Sequence, residues 1–73
     1  MINPTINAII TETQTALMSA APAWETKEEY MAYVTFEQEV AETIRSLDSI
    51  LHEALNDGAD KNTLKRIAVN FVS

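Results

Sequence analysis

The only histidine of the chain, His52, follows Asp48 by four residues, with Arg45 three residues earlier. An Asp/His pair at that spacing shares one face of a helix and could give a divalent ion two ligands. Two ligands do not close a site, and the Glu-x-x-His spacing of di-iron four-helix proteins is absent. The pair reads as a surface contact. Glu37 falls among apolar positions, where a carboxyl could serve as a buried general acid or as the polar residue that sets the register of a helix pair. Acid–base chemistry at a sugar or peptide bond needs a second carboxyl, and nothing in the chain supplies it. Such a Glu more often reaches water at the edge of a seam. There is no cysteine and a single glycine, Gly58, which removes thiol catalysis, disulfides, Cys–zinc sites and glycine-rich phosphate cradles. No nucleophile–base constellation is visible. The residues predict neither an enzyme nor a resident metal or cofactor.

The densest group of chemically distinctive residues is Trp24, Tyr30, Tyr33 and Phe36, interleaved with Glu25, Glu28, Glu29 and Glu37. At 100° per residue Tyr30 and Phe36 lie about 120° apart on a helix, so one neighbour can hardly cover both. Aromatic rings bury much area at small entropic cost and are enriched where binding energy concentrates. Two readings follow. The rings fill the core at a corner between helices, or Trp24, Tyr30, Tyr33, Phe36, Glu37 and Glu28 form a partner-binding surface.

The formal net charge is −6, which speaks against direct contact with a phosphate backbone. The charge is uneven. The first 24 residues hold Glu12 and no base, the acids concentrate between Glu25 and Asp57, and Lys61, Lys65 and Arg66 oppose Asp60 near the end. Those three bases read as solvated or docked on the acidic helix before them. Glu28, Glu39, Glu42, Glu53 and Asp57 keep to one side of that helix. Such a side is usually just solvated, but it could present carboxylates in place of phosphates to an enzyme that handles DNA or RNA.

Three helices must position these groups. The first runs from about 4 to 20, with Asn3 as cap, Pro4 at the first helical position and Ile6, Ile9, Ile10, Thr13, Leu17 and Ala20 as its stripe. Pro22 ends it, and Trp24 sits in the connection. The second runs from about 26 to 57. Thr26 and Glu29 form a capping box at its start, and Gly58 stops it. Thr35 and Gln38 repeat the capping-box pattern beside the poorly helical Val34-Thr35-Phe36, so a break near Thr35 is an alternative. The third runs from about 61 to 72, capped by Asp60, with Leu64, Ile67, Ala68 and Phe71 as its stripe.

On the second helix Tyr33, Glu37, Val40, Ile44, Leu47, Leu51 and Ala54 alternate at four and three residues, and Phe36, Ile50 and Leu55 widen the face. That face is too broad for one neighbour. Laid end to end, the first and third helices nearly match the second in length, one over each half. A second chain would then close the remaining apolar surface along Val40, Ile44, Leu47 and Leu51. The expected architecture is thus a single all-α domain over 1–73. It is a three-helix antiparallel arrangement with a long central helix, completed by dimerisation into a helical bundle. A break at Thr35 would permit a four-helix monomer instead.

No secretory signal is visible, since the first base is Lys27 and the apolar stretch from Ile6 to Leu17 is interrupted by polar residues. The stretch is also too polar to span a bilayer. A cytoplasmic protein is expected, in a cell or in an infected host. The functional expectation is a small acidic protein-binding module, a stoichiometric inhibitor or adaptor of a larger partner, itself basic or engaged with nucleic acid. Small acidic helical chains are frequent among phage-encoded accessory proteins, an association of size and charge alone. A structural homo-oligomer is the alternative, and nucleic-acid mimicry a weaker one.

Overall fold

The structure is a computed structural model that describes residues 3–72. Its helices are α1 (Pro4–Met18), α2 (Lys27–Asn56) and α3 (Lys61–Val72), and no strand occurs among the described residues. None of these helices is long and apolar enough to cross a membrane.

The helix ends follow from local chemistry. The Asn3 side-chain oxygen accepts from the amides of Thr5 (3.0 Å) and Ile6 (3.1 Å), which would otherwise lack partners at the start of α1. The far end of α1 comes two residues earlier than expected. The amides of Ala20 and Ala21 turn back onto the carbonyls of Leu17 and Met18, because Pro22 disfavours helical backbone at Ala21. At the start of α2 the capping box is complete. The Glu29 amide donates to the Thr26 hydroxyl and the Thr26 amide to the Glu29 carboxylate, each at 3.2 Å.

No break occurs at Thr35. Its hydroxyl donates to the Met31 carbonyl at 3.0 Å and so bonds within the preceding turn instead of capping a new helix. At the far end, Gly58 has φ +95°. The Ala59 amide reaches the Ala54 carbonyl and the Gly58 amide the Leu55 carbonyl, both at 3.0 Å. That is the paired closure by which a left-handed glycine satisfies the last carbonyls of a helix. Asp60 then caps α3 by accepting from the Thr63 amide at 2.8 Å.

The core joins Ile6 and Ile9 of α1, Leu47 and Leu51 of α2, and Leu64 and Ala68 of α3. Ile10, Ala54, Leu55, Ala59 and Ile67 pack around it. Both short helices therefore meet over the second half of α2, and the end-to-end placement is corrected. The tight Gly58 turn folds α3 straight back onto Leu47 and Leu51, while the deepest apolar residues of α1 lie at its start and seek the same leucines. With Ile6 and Ile9 at that level, α1 runs out about 15 Å further along. Val40, 6% exposed, is the last buried residue in that direction. The start of α2 projects past the core. The molecule measures 47 × 21 × 17 Å, close to the roughly 45 Å length of α2 alone. Its radius of gyration is 14.2 Å against about 11 Å for a compact chain of this length.

The seam assigned to a second chain is corrected by the same packing. Leu47 and Leu51 are fully buried, Val40 nearly so, and Ile44 is half-buried within the single chain. The chain's own helices cover them.

Candidate aromatic interface

The projecting start of α2 carries the aromatic group. Trp24 lies two residues before the cap and Tyr30 on the first turn, and their rings meet edge to face with centroids 4.6 Å apart and planes at 63°. Trp24 remains 50% and Tyr30 43% exposed. Tyr33 and Phe36 are half-buried and carry the apolar face of α2 toward Val40. Glu37 is exposed, and at 100° per residue it lies within about 20° of Tyr30, two turns on. It is not a buried acid.

Glu28 does not join this side. In a continuous helix it lies about 160° from Tyr30, on the far flank of α2. It therefore belongs with the exposed acids Glu39, Glu42, Glu53 and Asp57. Two features that sequence reasoning passed over belong to this end. Met31, 57% exposed, lies about 100° from Tyr30, between the aromatic side and the flank of Glu28. The Trp24–Tyr30 contact was legible as a relative of the hydrophobic staple, in which a residue before the cap packs on the fourth helical residue.

The other candidates fall elsewhere. His52 Nε2 lies 3.5 Å from Asp48 Oδ1, with both side chains about half exposed. No group of three or more metal-ligating side chains occurs among the described residues. Lys61 and Lys65 line an open cavity of about 270 Å³ between the starts of α1 and α3, with Pro4, Thr5, Ala8, Ile9 and Glu12. No ion pair joins α3 to the acids of α2 among the described residues. The Thr63 amide, then the Thr63 hydroxyl, then the charge of Arg66 hold the Asp60 carboxyl below the usual range. No described polar or charged side chain is buried.

The chain matches no protein-family model, no curated protein and no solved structure.

Proposed function

We propose that this chain is a protein-binding module, a stoichiometric inhibitor or adaptor that engages a larger partner with the projecting end of α2. The observation that carries the reading is the Trp24–Tyr30 pair, half exposed beyond the core with Tyr33 and Glu37 on the same side. A tryptophan that merely closed a corner would be covered. Here the two rings brace each other outside the core, so little side-chain freedom remains to be lost when a partner covers them. Binding would act by occupancy. An acidic, cysteine-free chain of this size suits the cytoplasm, including that of an infected host.

Nucleic-acid mimicry is less well supported by the spacing of the acids. From Glu28 to Asp57 the flank spans about 44 Å with five carboxylates, whereas duplex DNA carries one charge per about 1.7 Å.

The test is affinity capture from native lysate with the wild-type chain and with Trp24→Ala/Tyr30→Ala, both checked for helicity by circular dichroism. One protein retained in fixed ratio by the wild type and lost by the variant supports the reading. Equal retention by the folded variant removes the surface.

A further inference from the structure

The reading above leaves the partner's chemistry open, and the inference here rests on it. The chain exposes 5381 Å², while a compact chain of this mass exposes about 4500 Å². The surplus of about 900 Å² is close to the roughly 800 Å² that one partner contributes to a standard interface. Trp24, Tyr30 and Met31 at the projecting start of α2 are among the exposed large apolar groups, with Ile50 on the second half of α2 and Val69, Phe71 and Val72 on α3. Of these, Trp24 and Tyr30 pack ring on ring beyond the core.

Charge selects among occupants. Glu25, Glu29 and Glu37 surround or line the aromatic side, Glu28 stands on its far flank, and Lys27 is the only base there. Glu29 is engaged in the capping box, and Glu28 and Glu29 also complement the positive end of the α2 dipole. Glu25 and Glu37 have no such role, and neither makes an ion pair among the described residues. Lys61 and Lys65 lie at the start of α1, toward the opposite end of the 47 Å molecule, and neither Lys27 nor Arg45 forms an ion pair with Glu25 or Glu37 among the described residues. A second copy would bring another chain of charge −6, with the same carboxylates, against this surface.

We infer that the occupant is a basic amphipathic segment of a partner protein. Its apolar side covers Trp24, Tyr30 and Tyr33, and its Lys or Arg side chains lie against Glu25 and Glu37 and over the ring faces.

The single tryptophan makes the surface its own reporter. The probe is a helical peptide of leucine, lysine and arginine, about 20 residues long so that it holds its helix, against the same peptide with glutamate for every base. The basic peptide should shift Trp24 emission saturably at one peptide per chain. Its affinity should fall at least about fivefold from about 50 mM to about 300 mM salt and at least about threefold in Glu25→Gln/Glu37→Gln. Both glutamates are exposed, so the variant keeps the fold. The acidic peptide should give no shift. The inference is overturned by no saturable shift, by equal binding of the acidic peptide, or by binding indifferent to salt and to the variant. It is also overturned if emission shifts with chain concentration alone as the mass doubles in light scattering, which would make a second copy the occupant. A captured partner that depends on Trp24 and Tyr30 but ignores salt and the glutamates would sink the basic chemistry and leave the binding surface standing.

Discussion

Leu51 and Tyr30 lie on one unbroken helix, yet Leu51 is fully buried and Tyr30 is 43% exposed. Around Leu47 and Leu51 two helices converge, and the apolar face of α2 is filled from both sides. Around Tyr30 no buried residue is present, although Tyr33 and Phe36 prolong the same apolar face. The contrast shows that a helix's own pattern decides which face is apolar, while the reach of its neighbours decides how much of that face is covered. One end of α2 is therefore committed to stability, and the other is left with surface to offer.

Breaking that contrast should give unequal losses. Leu51→Ala should lower unfolding free energy by about 3 kcal/mol in urea denaturation, since it opens a cavity where all three helices meet. For a chain this small that is a large share of its total stability. Gly58→Ala should cost about 1 kcal/mol at the same end. No atom lies within 4 Å of an added methyl, so the loss comes from the positive φ and not from crowding. Thr26→Ala should also cost about 1 kcal/mol by removing half of the capping box. It should loosen the turn that carries Tyr30, so it should weaken partner capture as well. Tyr30→Ala should cost only about 0.5 kcal/mol in stability, with its main effect on binding. A loss as large as that of Leu51→Ala would mean that the projecting end is core after all.

The smallest expected effect is a pH dependence at the core end. The Asp60 carboxyl is held below its ordinary pKa chiefly by the Thr63 amide. Its contribution is therefore complete above the ordinary carboxylate range and lost as pH falls through the lowered value. Asp60→Asn, which can still cap, should flatten that part of the acid limb in thermal melts between about pH 5 and about pH 2.

The helix boundaries were legible because capping is local: Asn3, Thr26, Gly58 and Asp60 each act within a few residues. The buried stripes were legible in part, with Ile6, Ile9, Leu47, Leu51, Leu64 and Ala68 where the periodicity placed them, whereas Ala20 and Phe71, assigned to the same stripes, lie at helix ends beyond the core and are exposed. Axial placement was not. Periodicity reports the angle around a helix and says nothing of how far along α2 the other helices sit, so α1 and α3 were spread over two halves when both meet at Leu47 and Leu51. The same gap assigned the seam to a second chain. Thr35 resembled a cap because its type and spacing do not reveal that its hydroxyl turns back to Met31. Within the aromatic group, the sequence placed Trp24, Tyr30, Tyr33 and Glu37 together but grouped them with Glu28. The continuous helix separates them.

The most direct test compares three chains in capture from native lysate: wild type, Trp24→Ala/Tyr30→Ala, and Glu42→Gln/Glu53→Gln on the acidic flank. A binding surface at the projecting end of α2 predicts one partner held by the wild type and by the flank variant, and released by the aromatic variant. A partner held undiminished by the folded aromatic variant and released by the flank variant would contradict it and move the interface to the acids.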